Sequence, residues 1–446
     1  MNSRLLLIVT FLFLTIDLSS QVELKAEGAL FKSITPWNQG YLGMVVSKLS
    51  YADLSKGIAS KSGAFQYFNS RGEMEWKKKV NTFNFNNVHI CNDDSDYFYF
   101  INMPFSKVGF SMSEQTSKTK FLTIYQFNRE GKIVEKSIDY SGVLSPLKDY
   151  VENLNQCYVA ALKDGFVIVV SNDNKKHHIV RVRDNFEVDY TSVDFEWDDE
   201  KWAEGQLSKI KFTTSENEIS LIQIEVESSE LTMNLKSFDL DEISEFKEVT
   251  NTLDFSGYSL ISKDLSSELL YSSRDRVFTL YAESPLHPVL RLGSIVDFIE
   301  TKEGLKACFH YRNLKEGTRR KIDKEGFLLY DIGASSSTQK VDFAFSVGES
   351  ASSSCKFVFS EDGEFVVVTK QSKKNFVVKS SGGKEMTLRG NLKMAEAYLL
   401  FIRGEKDSKF DGINYVTLSK GKYYGIKYEG RSDLVGNFGR AVIYQH

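Results

Sequence analysis

The sequence predicts an all-β protein built of four-stranded antiparallel units, and three observations predict it. Aromatic residues make up 13% of the chain, with 33 Phe and 21 Tyr, while Pro occurs only five times. That composition is typical of strands rather than of disordered chain. Gly-containing turns separate short apolar runs along most of the sequence. A phrase of strand, polar turn and strand recurs at spacings of about 40 to 60 residues, which indicates a repeat architecture.

The clearest unit is residues 355–390. Apolar runs lie at 357–359, 365–369, 376–378 and 386–388, and polar segments containing Asp362-Gly363 and Gly382-Gly383 separate them. Asp-Gly and Gly-Gly supply the positive φ angles that tight hairpins need. The pattern therefore predicts four strands joined by hairpins. A single meander cannot cover both of its faces, so we expect it to stack on similar units.

The strand–turn–strand phrase occurs seven times, and further apolar runs precede each copy, among them 157–162, 166–171, 258–262 and 269–272. The seven copies are 64–68 with 73–80, 121–127 with 132–140, 179–183 with 186–193, 231–238 with 246–253, 277–282 with 289–292, 319–322 with 327–330, and 376–378 with 384–388. Four strands per unit predict a β-propeller of seven blades, with eight as the alternative. The continuous apolar run 166–170 predicts an inner strand covered on both sides.

The C-terminal part, 391–446, predicts strands at 398–402, 414–418, 423–428 and 441–444. These form either an eighth blade or, with 22–34, the strands that close the ring and leave no open edge. Two other segments depart from the strand pattern. Apolar spacing over 144–154, with Ser145 as N-cap and Pro146 at the first helical position, predicts a short helix covering a blade. The acidic segment 194–204 predicts a connecting loop or one helical turn.

Two phrases carry a resemblance to known propellers. The phrase Phe68-Asn-Ser-Arg-Gly72-Glu-Met-Glu-Trp76 resembles the end of a blade in quinoprotein-type propellers, and Phe359-Ser-Glu-Asp-Gly363 resembles the strand-entry phrase of Tol-system-like propellers. The resemblance implies a fold, which by itself does not fix a function. In the first phrase an aromatic residue, Trp76, follows the turn glycine Gly72, but no such aromatic residue follows Gly131 or Gly326. We therefore predict no quinone, and no other cofactor.

The first twenty residues predict an export signal. Arg4 precedes a stretch of mostly apolar residues, 5–16, which is too short to span a bilayer but fits a signal peptide. Cleavage after Ser20 would leave 21–446 as a single β-propeller domain in the periplasm or outside the cell; a signal anchor is the alternative. The net charge of −4 has no basic block, which argues against a nucleic-acid or membrane surface.

The four cysteines, Cys91, Cys157, Cys308 and Cys355, each adjoin an apolar strand-like run. An exported protein can keep disulfides, and four cysteines allow three pairings. They can equally be buried thiols, because no two have the spacing of a zinc site or a dense disulfide scaffold.

The motifs of common enzymes and metal sites are missing from the sequence. His177 and His178 are adjacent in a predicted strand, so their side chains point to opposite faces. We expect them at a solvated edge of a blade. We predict no metal site and no catalytic residue. A carboxylate pair would leave no sequence trace, because such pairs are defined by distance in space.

The acidic segment with two tryptophans is the strongest candidate for a binding surface in the sequence. Trp197 and Trp202 flank Asp198 and Asp199, and Trp is enriched at binding hot spots. The same tryptophans can instead pack onto a blade. We therefore predict an exported, non-catalytic propeller that binds an envelope or extracellular protein, or a glycan. The alternative is a secreted hydrolase acting on carbohydrate through two carboxylates in a central channel.

Overall fold

The computed structural model describes the chain in a series of segments. The described residues are 21–27, 29–47, 63–80, 87–91, 95–102, 121–148, 156–171, 175–196, 211–214, 218–227, 230–254, 270–272, 296–301, 304–314, 316, 322–332, 340–345, 354–359, 365–372, 374–406, 413–419, 422–432 and 438–445. The signal segment 1–20 and the predicted strands 258–262, 277–282 and 289–292 lie outside them.

The protein is mostly β-sheet, as predicted. The first half of the chain has these strands: β1 Gln21–Lys25, β2 Leu30–Trp37, β3 Gly40–Val46, β4 Gly63–Phe68, β5 Met74–Val80, β6 Asn87–Cys91, β7 Tyr97–Asn102, β8 Leu122–Asn128, β9 Ile133–Ile138, β10 Gln156–Leu162, β11 Gly165–Ser171, β12 Lys176–Arg183, β13 Val188–Asp194, β14 Lys211–Thr214, β15 Glu218–Glu227, β16 Glu230–Asp239 and β17 Phe246–Asp254. The second half continues with β18 Leu270–Ser272, β19 Val296–Thr301, β20 Gly304–Leu314, β21 Ile322–Ile332, β22 Lys340–Phe345, β23 Ser354–Phe359, β24 Phe365–Ser372, β25 Asn375–Ser380, β26 Glu385–Arg389, β27 Tyr415–Ser419, β28 Lys422–Ser432 and β29 Phe438–Gln445.

The strands form consecutive antiparallel units of four, numbered here in chain order. Unit 1 is β2–β5, unit 2 is β6–β9, unit 3 is β10–β13, unit 4 is β14–β17, unit 5 is β19–β22 and unit 6 is β23–β26. Unit 6 is the predicted meander of 355–390, which is confirmed. Unit 7 combines both ends of the chain, because β1 pairs with β29 beside β28 and β27. A contact between Phe31 and Phe438 joins units 7 and 1 into one larger sheet.

The pairing predicted between strands of 22–34 and the C-terminal strands is thus present. Leu24 pairs with Ala441, and Arg440 binds Glu23 at 2.7 Å. The glycine of the β4–β5 turn lies against this added strand, since a Cβ on Gly72 would be 2.6 Å from the Glu23 carbonyl oxygen. The first and last strands of the chain are therefore packed against unit 1.

Among the described residues, apolar clusters lie between units 1 and 2, 2 and 3, 3 and 4, 6 and 7, and 7 and 1. In β11, Phe166, Ile168 and Val170 belong to the cluster shared with unit 2, whereas Val167 and Val169 belong to the cluster shared with unit 4. Alternate side chains of a strand point to opposite faces, so a strand covered on both sides must be apolar throughout. The prediction for 166–170 is confirmed.

Four of the units close their third and fourth strands with the same turn. The residue that ends or follows the third strand (Asn69, Asn128, Arg183 or Ser380) donates its N–H to the carbonyl four residues on and accepts from the N–H three residues on. The residue three positions after it has a positive φ angle in each turn: Gly72, Gly131, Phe186 and Gly383. The pattern is typical of three-residue hairpin loops, in which a type I turn is followed by a residue with left-handed backbone; that residue is glycine in three of the turns and Phe186 in the fourth.

Two predicted helical or strand segments differ from the structure. Residues 398–402 lie in a helix, α1 Met394–Arg403, because their apolar run is buried on nearly every side between units 6 and 7. Of the helix predicted over 144–154, residues 149–154 lie outside the described residues, and 144–147 belong instead to a 3₁₀ helix, Gly142–Leu147, with Ser141 as N-cap. It does cover a sheet, since Leu144 and Leu147 are buried against units 2 and 3. In the described part of the chain no helix has the length and hydropathy to cross a membrane.

One predicted hairpin is wrong. The hairpin expected at 323–326 does not form, because β21 runs unbroken through it and pairs with β20 on one side and β22 on the other. The run 269–272 was expected to precede the hairpin of 277–282 and 289–292, which lies outside the described residues. It forms β18, which lies parallel to β27 of unit 7.

Candidate functional site

The acidic tryptophan loop begins at the interface of units 3 and 4. Trp197, Asp198, Asp199 and Trp202 themselves lie outside the described residues. The chain leading to them is held firmly: the Phe195 N–H donates to the Lys175 carbonyl, and the Glu196 carbonyl accepts from Gln223 at 2.7 Å. The Lys236 ammonium lies 4.8 Å from the Phe195 ring centre. The residues that precede the tryptophan segment are therefore held in place by units 3 and 4. The role of the segment in binding stays a prediction.

The connections between strands differ strongly in length at the two edges of the units. In an antiparallel meander, the first–second and third–fourth connections share one edge, and all others share the opposite edge. The first edge carries short turns, of which the longest is 333–339. We call this the short-turn face. The second edge carries the five longest direct connections: 47–62, 103–121, 139–155, 195–210 and 390–414. We call this the long-connection face.

A network of arginines and aspartates lies on the short-turn face between units 3 and 4. Arg181 is 4% exposed and makes hydrogen bonds to both carboxylate oxygens of Asp164, at 3.1 and 3.0 Å. It also binds Asp241 at 3.0 Å and the Leu240 carbonyl. Arg183 pairs with Asp189 at 3.0 Å. Buried charge requires such pairing, so the network holds two units together rather than leaving a charge free for catalysis.

A second polar group lies between units 2 and 3. The buried Tyr99 hydroxyl donates to the Asp184 carboxylate, and Gln126 donates to the Asp184 carbonyl at 2.8 Å. Burial raises the pKa of Asp184, opposed by the Tyr99 hydrogen bond. Burial likewise raises the pKa of Tyr99. Perturbed groups are candidate catalytic residues, but these two are hydrogen-bonded to each other across an interface, which is a structural use.

One backbone position in each of three neighbouring units accepts a hydrogen bond from the unit before it. The carbonyls of Arg129, Asp184 and Leu240 each follow the last residue of a third strand. They accept from Trp76 at 2.7 Å, from Gln126, and from Arg181 respectively. The donor is an indole, an amide or a guanidinium group, whereas the acceptor is in each case the carbonyl of the residue that follows the third strand. Units 1 to 4 are therefore joined in one consistent orientation, with their short-turn edges on one side.

The two histidines are buried, which corrects the expectation of a solvated edge. His177 and His178 have no exposed area, because β12 is an inner strand covered on both sides. They do point to opposite faces: the His177 ring lies edge-on to Phe195, and the His178 Nδ1 lies 3.0 Å from the Tyr190 hydroxyl. Within the part of the chain that the structure describes, no three His, Cys, Asp or Glu side chains converge on a metal position.

The remaining predicted chemistry is untested. The four cysteines lie on β6, β10, β20 and β23, but their side chains are not among those described, so their pairing stays a prediction. A carboxylate pair near a central channel would come from the first strand of several units. Most side chains of those strands are likewise undescribed, so the hydrolase alternative also stays a prediction.

No protein-family model and no curated protein matches the chain. Among solved structures, prolyl oligopeptidase B from Galerina marginata is 8% identical, with 82% of this chain and 43% of that chain covered and a TM-score of 0.41. A post-proline cleaving enzyme from Rickettsia typhi is 8% identical over 91% of this chain and 50% of its own, also with a TM-score of 0.41. The Nup133 β-propeller domain from Vanderwaltozyma polyspora is 10% identical over 93% and 100%, with a TM-score of 0.37.

The chain thus spans half or less of the length of the two prolyl enzymes. At these identities and TM-scores, the likeness assigns neither a family nor an activity to it.

Proposed function

We propose that units 1 to 7 are the blades of one closed β-propeller, and that this propeller is an exported binding or scaffold module. Its partner is an envelope or extracellular protein, or a glycan, recognised by the long-connection face. The pairing of β1 with β29 supports closure, because it lets the two chain ends share a blade. Contacts between the first strands of neighbouring units, β6 with β10 and β14 with β19, support a shared axis.

The main observation that supports a binding face is the difference in length between the connections at the two edges of the units. Compact folds connect strands with short turns unless a longer segment has a use. Here every short-turn connection is at most as long as 333–339, while the opposite edge carries a connection as long as 103–121. Binding residues concentrate on loops that a rigid scaffold positions. The hydrogen bonds from Trp76, Gln126 and Arg181 to the next unit make these units such a scaffold.

Site-specific photo-cross-linking in the native host tests the face. A photoreactive amino acid at Glu196 would stand beside the acidic tryptophan loop, and the matched control is Glu130 in an exposed turn of the short-turn face. We expect one discrete cross-linked product from position 196 and none from position 130. Products from position 130 alone would contradict the assignment of the binding face.

The tryptophans can be tested in the same assay. Replacing both Trp197 and Trp202 by Ala should abolish the cross-link from position 196 while leaving the melting temperature unchanged. A large fall in melting temperature with the cross-link intact would show that the rings pack onto a blade and do not bind.

Export is tested separately, by sequencing the N-terminus of the protein recovered from outside the cytoplasm. We expect the mature chain to begin at Gln21. Retention of residues 1–20 would favour the signal anchor.

A further inference from the structure

Strand β18 adds a further strand to unit 7 from a distant part of the chain. In the sequence it lies between unit 4, which ends at Asp254, and unit 5, which begins at Val296. Its three residues pair with Val416–Leu418 of β27, with Tyr271 opposite Thr417. Since β27 also pairs with β28 along its whole length, β18 occupies the other edge of β27. That edge therefore accepts an extended segment of chain.

The edge that β18 occupies belongs to the first strand of its unit. First strands of neighbouring units contact each other in two places, β6 with β10 and β14 with β19. In the closed propeller proposed above, the first strands surround the axis, so this edge of β27 faces the axis. Strand β27 begins where the connection 390–414 ends, at the long-connection face. A segment that enters from that face and runs parallel to β27 therefore reaches the edge.

The pairing of β18 with β27 is short and of the less stable kind. Strand β27 is antiparallel to β28 but parallel to β18, and parallel pairs are slightly less stable per residue. Tyr415 and Ser419, the two end residues of β27, pair with β28 but have no partner on β18. Three paired residues gain few hydrogen bonds against the entropy lost in fixing the segment. A longer strand would form more hydrogen bonds with the same edge.

We propose that this edge of β27 is a docking site for an extended segment of a protein partner, and that β18 occupies the site as an internal competitor. The position at the axis rests on the proposed closed propeller, and the inference names the chemistry of its partner. That chemistry is a backbone in strand conformation, which recognises an open sheet edge through main-chain hydrogen bonds. A protein segment fits better than a glycan, because a glycan has no regular ladder of backbone donors and acceptors.

A disulfide tests first whether β18 docks on β27. In a background with the four native cysteines replaced by Ala, Tyr271 and Thr417 are both replaced by Cys. Paired strands place opposite Cα atoms about 4.8 Å apart, which is within the range that a disulfide spans. We expect the pair to oxidise within the monomer. A pair that stays reduced would overturn the proposal, as would a link between molecules, which would assign the edge to a second copy of the chain.

Peptide binding to the same variant tests whether the edge is a docking site. The probe is a fluorescent peptide with the sequence of residues 265–276, which contains β18. We expect the oxidised protein to show no binding by fluorescence anisotropy and the reduced protein to bind, because reduction frees the edge for exchange. The control ligand is the same peptide N-methylated at positions 270–272, which lacks the N–H groups of the ladder and should not bind.

Strand-breaking variants test the competition in the absence of any disulfide. Tyr271→Pro combined with Ser272→Pro removes two consecutive N–H groups, one of which points to β27 whichever edge of β18 is paired. We expect this variant to bind the peptide about tenfold more tightly, because the edge is no longer occupied. The matched control, Tyr271→Val with Ser272→Thr, keeps both N–H groups and suits a strand, so its affinity should stay unchanged.

Equal peptide binding by the oxidised and reduced protein, or by the proline and control variants, would overturn the proposal. So would equal binding of the N-methylated and the unmodified peptide. The melting temperature of each variant reports whether it is folded. The photo-cross-link from position 196 does not depend on β18, so a failure of the docking site and a failure of the proposed binding face give different results.

Discussion

At the scale of single residues, polar side chains in the unit interfaces are fixed by groups that are remote in sequence. Gln126 donates to a carbonyl 58 residues away, and Arg181 to one 59 residues away. Sequence reasoning did not find either residue, because nothing local marks a strand glutamine or arginine as buried. The available signal was the repeat itself: both residues precede the last residue of a third strand by two positions.

Alanine substitutions at two turn glycines distinguish the effect of backbone strain on stability from the effect of tight packing. Gly131 and Gly383 both have positive φ, but a Cβ on Gly131 would lie 2.8 Å from the Trp76 indole, whereas nothing lies within 4 Å of a Cβ on Gly383. We expect Gly383→Ala to lower the free energy of unfolding by about 1 kcal/mol, from strain alone. Gly131→Ala should lower it by about 2–4 kcal/mol, because the indole must also move. Urea denaturation measures the free energy of unfolding of both variants. Equal losses of stability would contradict the close packing of Gly131 against Trp76.

Asp184 should give a distinctive pH dependence. Its pKa in the folded protein is raised above the unfolded value of about 3.9, so between the two values the folded state binds more protons. Its contribution to stability is therefore fully present below the unfolded pKa and is lost as the pH rises through the folded pKa. Asp184→Asn cannot ionise, and its amide oxygen still accepts from Tyr99.

We expect the stability of Asp184→Asn relative to the unaltered protein to increase as the pH is raised from about 4 to about 7. Urea melts of both proteins at each pH measure the difference. A difference that stays constant, or that decreases with pH, would contradict a raised pKa.

At the scale of elements, prediction succeeded where a turn has its own chemistry. The turns at Gly72, Gly131 and Gly383 were predicted because each places glycine where the backbone has positive φ. The same type of pattern failed at Gly326, because β20 and β22 are long enough to pair with the chain on both sides and keep it extended. Local turn chemistry gave way there to tertiary pairing.

The helix α1 was missed for a different reason. Residues 398–402 form a short, uninterrupted apolar run, and such a run is equally compatible with a buried strand and a buried helix. Periodicity gave no help, because α1 buries seven consecutive residues between units 6 and 7. The glycine that ends it, Gly404 with φ of 70°, is a common helix terminator and was the one local signal.

The interface of units 3 and 4 should depend on Arg181 more than on any surface ion pair. Arg181→Met keeps the packing volume but removes the bonds to Leu240, Asp164 and Asp241. We expect a loss of about 1.5–3 kcal/mol in the free energy of unfolding. The control is Lys25→Met, which breaks an exposed pair with Glu23 at 3.3 Å and should cost about 0.5 kcal/mol or less. Similar losses in chemical denaturation would show that Arg181 does not hold the units together.

At the scale of the whole molecule, the sequence predicted the all-β class and the rhythm of four strands, which follow from composition and local turns. It left open how the ends are used, because pairing between residues 21–25 and 440–444 has no local signature. The proposed functional account depends on that pairing. A closed ring fixes all units on one scaffold, and only then do the long connections share one face.

An engineered disulfide between the chain ends tests closure most directly. Leu24 and Ala441 are directly paired and belong to the same apolar cluster, so cysteines at both positions should lie within bonding distance. The four native cysteines are replaced by Ala in this background. The control pair joins position 24 to the exposed Val134 on β9 of unit 2. We predict that the 24–441 pair oxidises completely within the monomer and raises the melting temperature, whereas the control pair does not; a 24–441 pair that stays reduced, or that links only between molecules, would contradict a ring closed by its own two ends.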